Sequence, residues 1–371
     1  RCGLPREMLR EVRSHQLGHV RCAFFTFESA SATLRLIDPT NEADSVALMS
    51  LEFQPDRNLA MELVRATEAA AIRSFPFIGR GDKNGADGAA VDAMRAFLGT
   101  VHFEGKVVIG EGEKDNAPML FNGEILGTGN GPKVDIAVDP IDGTSLTAAG
   151  RMNAISVIAV SDRDTMLDAS SVFKMDKLVV GKPGVGVCDI SMSIAENIGE
   201  YAKSAGKPVD EVLVAVLDRD YNAGVVEEVR SAGAATRLLR DGDVAAGIQA
   251  ARSESRIDIA LGVGGSPEGV ITAAGVRALG GQMQGILHPL SEDERERGSA
   301  AGLKFDHVYQ MNDMVSSDNT FFVATGVTDG PLVSGVRKRG GIIFAESIVV
   351  RGRSGTVRKV YAEYQASRWL D

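Results

Sequence analysis

The hexapeptide Asp139-Pro140-Ile141-Asp142-Gly143-Thr144 places two carboxylates and a hydroxyl directly after the apolar run 134–138. A strand end holds Asp139, the proline stiffens the turn, and Asp142 is expected to return to the same side beside Thr144. Converging carboxylates repel one another and lose solvation, a cost that a hard cation between them relieves. A second acidic strand end, Gly110-Glu111-Gly112-Glu113 with Asp115 two residues on, follows the β-branched run 106–109, and Asp87 sits in the glycine-rich segment 79–88. Three acid-bearing loops can enclose two ions, and oxygen ligands without a His/Cys cluster select Mg²⁺ or Mn²⁺ over zinc or copper. Each acid also has an ordinary structural use: turn former for Asp139 and Asp142, exposed strand end for Glu111 and Glu113, helix cap for Asp87.

Two further segments bear polar groups at strand ends. Gly262-Val-Gly-Gly-Ser-Pro-Glu-Gly269 follows the run 257–261. Counted as GxGxxG it meets Pro267 where the third glycine belongs, and the same count from Gly79 meets Asn84, so a dinucleotide site is disfavoured. Such a turn can still present N–H groups to a phosphate, with Glu268 at the helix start either a site residue or a carboxylate favoured by the helix dipole. Asp241-Gly-Asp243 suits acceptance of hydrogen bonds from sugar hydroxyls, and equally an Asx-turn capping a helix from Val244.

Positioning these groups requires regular elements on both sides of them. Asp56 can cap a helix whose apolar positions Leu59, Leu63, Val64, Ala70 and Ile72 recur near the 3.6 period, and a second amphipathic helix carries Val91, Met94, Phe97 and Leu98. Strands are expected over 106–109, 134–138, 154–160, 213–217, 257–261, 321–324 and 342–350, with a helix over 223–232. The pattern is α/β, or α+β in layers. The charged stretch 291–297 is a solvated surface loop or helix.

With 40 basic and 50 acidic residues among 371, the chain has a net charge of −10 and no dense Lys/Arg stripe, which argues against sequence-independent nucleic-acid binding. No apolar run approaches the ~18 residues of a membrane span. Three cysteines, Cys2, Cys22 and Cys188, are too few and scattered for a disulfide framework, which fits a reducing cytoplasm. Residues 1–54 show no steady period. Their arginines invite a transit-peptide reading that Glu7, Glu11 and Glu28 spoil, and Cys2, His15, His19 and Cys22 lack a zinc knuckle. A disordered or adventitious extension is the expectation for this stretch.

Six motifs in order carry a resemblance. Residues 56–65, Gly79-Arg-Gly-Asp-Lys-Asn84, Val108-Ile-Gly-Glu-Gly-Glu-Lys-Asp115, the 139–144 hexapeptide, Asp241-Gly-Asp-Val244 and Gly264-Gly-Ser-Pro-Glu-Gly-Val270 resemble those of the bacterial class II fructose-1,6-bisphosphatases, within the lithium-sensitive, magnesium-dependent sugar phosphatases. The resemblance implies an αβαβα sandwich, with a metal-binding subdomain over 55–210 and a sugar-phosphate-binding subdomain over 211–371. It implies hydrolysis of the 1-phosphate of fructose 1,6-bisphosphate in gluconeogenesis, with sedoheptulose 1,7-bisphosphate a further substrate in some relatives, and a homo-oligomer, dimer or tetramer. Carried over, Asp87, Glu111, Asp139, Asp142 and Glu268 are metal ligands. Thr144 positions the attacking water, Glu113 and Asp115 are acid/base or outer groups, and Lys83 is a site lysine. Asp142, Gly143, Thr144, Lys174, Arg219, Asp241, Asp243 and Glu268 line the substrate.

Two departures bear on specificity. Where relatives read Asp-Arg-Pro-Arg-His, this chain has Asp218-Arg219-Asp220-Tyr221-Asn222; where they read Tyr-Met before an acid and a lysine, it has Phe173-Lys174-Met175-Asp176-Lys177. A basic group is lost at one place and gained at another, and a lysine point charge attracts phosphate without the arginine fork. Retained metal-dependent chemistry with altered substrate preference is therefore expected. An inositol-phosphatase-like phosphomonoesterase and a catalytically silent metal or sugar-phosphate binder remain the alternatives.

Overall fold

The computed structural model describes residues 23–28, 31–36, 48–51, 59–111 and 120–370. The targeting and zinc readings of residues 1–22, the Asp56 cap, and Glu113 and Asp115 lie outside them. The chain divides into units of residues 1–58 and 59–371. In the first, β1 (Ala23–Glu28), β2 (Ser31–Leu36) and β3 (Leu48–Leu51) form an antiparallel sheet in that order.

The second unit begins with α1 (Leu59–Ser74), which buries Leu63, Val64, Ala70 and Ile72 as its apolar period predicts, and α2 (Lys83–Leu98), which packs along it. Asp82 caps α2 by accepting from Gly85 N at 2.8 Å. Asp87 is thus neither cap nor turn residue but lies inside the helix.

From there the chain lays down β4 (Glu104–Ile109), β5 (Ile125–Leu126), β6 (Lys133–Asp142), α3 (Thr144–Ala148), β7 (Ile155–Asp162) and β8 (Lys174–Val180). Next come α4 (Ile194–Ala205), β9 (Leu213–Leu217), α5 (Ala223–Ser231), β10 (Ala235–Leu239), α6 (Val244–Ala250), β11 (Ile259–Gly265) and α7 (Ser266–Leu279). It closes with β12 (Gln282–Leu287), α8 (Glu292–Ala300), α9 (Met311–Met314), β13 (Phe321–Gly326), β14 (Arg337–Arg339), β15 (Ile342–Arg351) and β16 (Thr356–Gln365).

Two sheets result. The eight-stranded one runs β14-β15-β13-β7-β6-β4-β5, with β16 on the other side of β15, and only β4 and β6 pair in parallel. The five-stranded one runs β10-β9-β11-β8-β12. Against the first sheet α1 packs on β6, β7, β13 and β15; α4 and α5 share a core with Leu178, Val214, Val216 and Ile259 on the outside of the second. Between the sheets lies α7, touching β6, β7 and β13 on one side and β8, β11 and β12 on the other. Its sequence, buried on nearly all sides from Gly269 to Val276, has no polar face to give to water. The order is αβαβα, as the resemblance implied. The 291–297 stretch forms most of the charged helix α8, and no helix of the described residues is long and apolar enough to cross a membrane.

Candidate active site

The acid motif is shaped by an irregularity in β6. Side chains on a strand alternate faces, so residues three apart should point oppositely. Here Asp139 faces Val157 and Asp142 faces Ile155, so that two residues of β6 stand against the single residue Ser156 of β7. This bulge inserts one residue and returns Asp142 to the face of Asp139. The expected tight turn is therefore a bulged strand that runs through Pro140. Gly143, at φ 98°, then reverses the chain into α3 in a conformation that disfavours any side chain. Thr144 Oγ1 donates to Ile141 O at 3.1 Å, and Ile141 N donates to Asp139 Oδ1 at 3.0 Å.

Five further acids, Asp87, Glu111, Asp241, Asp243 and Glu268, act on this motif. Burial raises the Asp139 carboxyl well above its ordinary range, and Glu111, Asp142, Glu268 and Asp87 each push it further in the same direction. Asp142, only 4 % exposed, is raised likewise by burial and then by Asp243, Glu268 and Asp241, with Lys177 opposing. Glu268 is raised by burial and by Asp243, against the pull of Lys177, its own backbone amide and Lys174. Asp142 Oδ2 and Glu268 Oε2 are buried without a hydrogen-bond partner.

A buried, unpaired carboxylate oxygen costs far more than a paired one, and oxygen donors of this kind suit a hard divalent cation. The residues present therefore fit one. Among the described residues no three His, Cys, Asp or Glu side chains stand close enough together to hold an ion as they are placed.

The glycines that end β11 have a different use from a phosphate cradle. A Cβ at Gly265 would collide with the Glu268 carboxylate, and one at Gly264 with Asp243 Oδ2 and Lys177. Their absent side chains let Glu268, in the first turn of α7, fold back toward β6.

On the second sheet the polar groups are matched rather than crowded. Lys177 Nζ, with a side chain 8 % exposed, lies 2.5 Å from Asp243 Oδ2 and donates to Gly265 O at 3.0 Å. Asp243 occupies the position before α6 but makes no cap bond, so the capping use of this acid is not what the structure shows. Arg219 reaches Asp241 Oδ1 at 3.4 Å. Lys174 Nζ is 3.3 Å from Tyr221 Oη and 5.2 Å from the centre of its ring.

The family description "Bacterial fructose-1,6-bisphosphatase, glpX-encoded" matches residues 57–364. The chain belongs to this family. Among curated proteins, "Fructose-1,6-bisphosphatase 1 class 2" of Escherichia coli (strain K12) is 42% identical over 328 residues, covering 85% of this chain and 96% of that protein. "Fructose-1,6-bisphosphatase class 2" of E. coli O6:H1 and of Shigella flexneri match with the same identity and coverage.

Within this family member, the structure brings Asp87, Glu111, Asp139, Asp142 and Glu268 into one electrostatic cluster with Asp241 and Asp243 beside it. Thr144 follows directly on that cluster through Gly143. Lys83 opens α2 and lies one turn before Asp87 on the same helix face, exposed. Arg219 and Lys174 join through Asp241 and Tyr221 respectively. Two participants escaped the sequence reading. Lys177 was read only as part of a motif, and its signal was a lysine at alternating spacing in a segment that proved to be a buried central strand. Tyr221 counted only as a lost arginine, whereas it supplies the ring against which Lys174 rests.

Proposed function

We propose that this chain hydrolyses the 1-phosphate of fructose 1,6-bisphosphate, releasing fructose 6-phosphate and inorganic phosphate, with Mg²⁺ or Mn²⁺ held by Asp87, Glu111, Asp139, Asp142 and Glu268. The observation that carries the reading is the placement of Asp139 within the field of four other acids from α2, the end of β4, β6 and α7. When bound, such a cation lowers the pKa of water, neutralises phosphoryl oxygens and stabilises the departing sugar alkoxide.

The chain's own groups do the rest. Thr144 Oγ1, its hydrogen engaged by the Ile141 carbonyl, offers lone pairs to an incoming water and orients it toward phosphorus. The P–O bond to C1 breaks as the new one forms, and the O1 oxygen leaves with a proton. Glu113 and Asp115 are the proposed acid/base groups. Asp241 and Asp243 accept sugar hydroxyls, Asp243 being held in place by Lys177. Lys83, Lys174 and Arg219 attract the phosphates into a chain of net negative charge. Gluconeogenic use, cytoplasmic placement and a homo-oligomer belong to the same reading.

The Lys174–Tyr221 contact favours altered selectivity between bisphosphates. A lysine anchored on an aromatic ring attracts a phosphate as a point charge without bidentate geometry. Phosphate release from fructose 1,6-bisphosphate, sedoheptulose 1,7-bisphosphate and inositol monophosphates, with Mg²⁺, Mn²⁺ or EDTA, tests the proposal. Metal-dependent release from the bisphosphates is expected, abolished by Asp139→Asn. Absence of release with either metal leaves a binder, and preference for inositol monophosphates leaves the other phosphatase type.

A further inference from the structure

Strand β16 is the outer edge of the eight-stranded sheet, and among the described residues its only strand partner is β15. It is ten residues long, pairs with β15 in unbroken register and contains no proline or bulge. Such an edge presents a row of backbone donors and acceptors that can template another strand; edges are protected by shortness, bulges, proline or charge, and of these β16 has only charge, which a second copy can pair. Its outer face is a single exposed row: Val357, Lys359, Tyr361, Glu363 and Gln365. Tyr361, 56 % exposed, lies against Phe344 at a centroid distance of 6.1 Å.

The row is self-complementary. We propose that two copies of this chain pair through β16, antiparallel about a twofold axis at Tyr361. In that register Tyr361 faces its own copy, Lys359 faces Glu363, Val357 faces Gln365, and on the other face Val360 meets Ala362. Opposite charges placed directly across an antiparallel pair stabilise it and like charges destabilise it. A slip of two residues removes the Lys359–Glu363 pairing, and a slip of four sets Lys359 against Lys359 or Glu363 against Glu363. A slip of one exchanges the two faces altogether. Lys359 already bonds Glu346 of its own protomer at 2.8 Å. With three donors it can hold both acids, so the interface carries alternating charges from β15 across to the second copy. The contact is isologous, as a twofold dimer requires, and joins the two sheets into one.

The proposal rests on the homo-oligomeric part of the reading above and on nothing in the chemistry. Sedimentation of the full chain over a range of concentrations is expected to show a dimer. Lys359→Glu or Glu363→Lys alone should weaken it about tenfold or more, and the double exchange should restore it, because within one protomer these side chains lie four residues apart on the strand and do not face each other. With Cys2 and Cys22 replaced by serine, Tyr361→Cys should form an intermolecular disulfide under mild oxidation, since directly opposed residues have the Cα spacing a disulfide needs. Val357→Cys should not. Cys188 does not interfere, being buried with its thiol pushed up to about 11, chiefly by that burial. A wild-type monomer overturns both the assembly and its interface. A wild-type oligomer in which the exchange restores nothing, or in which Tyr361→Cys stays uncrosslinked, overturns the interface alone.

Discussion

Strand β6 carries a buried acid near each end, and the two are handled in opposite ways. Asp135, 1 % exposed, accepts through Oδ2 from Thr165 N at 2.8 Å and Met166 N at 3.1 Å, while its Oδ1, buried without a hydrogen bond, faces the cationic Arg163 Nε at 3.7 Å. Asp142, 4 % exposed, has a buried oxygen with no partner and is surrounded by Asp243, Glu268 and Asp241. Neither burial nor one unbonded oxygen separates a structural carboxylate from a functional one; the charge that faces it does, a guanidinium at Asp135 and three further acids at Asp142. A fold that leaves acids unsatisfied holds them against their own repulsion, and the stability forgone is recovered when a cation binds.

The largest effect should come from exchanging charge at these two positions. Asp142→Asn is expected to lower kcat/KM for fructose 1,6-bisphosphate by ~10³-fold or more, about 4 kcal/mol of transition-state stabilisation. In EDTA its melting temperature should equal or exceed that of the wild type. Asp135→Ala leaves two backbone N–H groups without acceptors, at ~1–3 kcal/mol each, so its melting temperature should drop while turnover per folded molecule changes little. Thermal melts in EDTA beside steady-state kinetics read both. If Asp142→Asn is destabilised as much as Asp135→Ala, the contrast between the two ends of β6 is false.

Thr144→Ala comes next, because it removes a group aimed at the attacking water and leaves the acids in place. A fall in kcat of ~10²-fold or more, with KM moved by about threefold or less, is expected. A rise in KM at constant kcat would instead make Thr144 a substrate contact.

Lys174→Ala should act more weakly and through the substrate. Loss of a charge-assisted phosphate contact is worth ~1.5–3 kcal/mol, reduced here because Lys174 is part-exposed. About a tenfold fall in kcat/KM for bisphosphates is expected, chiefly in KM, while monophosphates are unaffected. Equal loss for both classes would place Lys174 at the acid cluster instead.

How much of this was legible in the sequence depended on whether a segment declared its environment. The helices over 59–74 and 83–98 and the strands at 134–138 and 213–217 carry apolar periods that match the layer they enter. The strand Lys174–Val180 does not, because Lys174, Asp176 and Lys177 read as surface while the backbone lies in the middle of the second sheet. Lys177 is tolerated there only because Asp243 and the Gly265 carbonyl meet it, and those partners lie 66 and 88 residues away. Strand β16 was missed for the opposite reason: its outer row faces water, so half its pattern is polar. The site acids were legible as types and spacing, whereas the bulge that turns Asp139 and Asp142 to one face depends on the register with β7. Asp87 moved from turn to helix because Asp82, not Asp87, supplies the cap.

Glu346 extends the contrast to the rim of the same sheet and has the smallest expected effect. Partial burial works against its charge, but bonds from Lys359 and Ser334 outweigh that and pull the carboxyl down to about 2. Its ordinary value is near 4.5. Between these values the unfolded chain binds the proton and the folded chain does not, so folding is favoured as pH rises through that window. The contribution is whole above pH ~4.5 and is lost as pH falls toward ~2. Glu346→Gln should therefore melt a few degrees lower than the wild type at pH 6, with the difference shrinking as the acid range is entered, read from melting temperature against pH. Asp139, Asp142 and Glu268 have carboxyls raised by burial and by neighbouring acids, so without metal these three oppose folding as pH rises through their range. A satisfied acid at the rim and an unsatisfied one at the site thus tilt the same stability curve in opposite directions. A Glu346→Gln difference independent of pH would show that Lys359 and Ser334 stabilise the fold by geometry and not by charge.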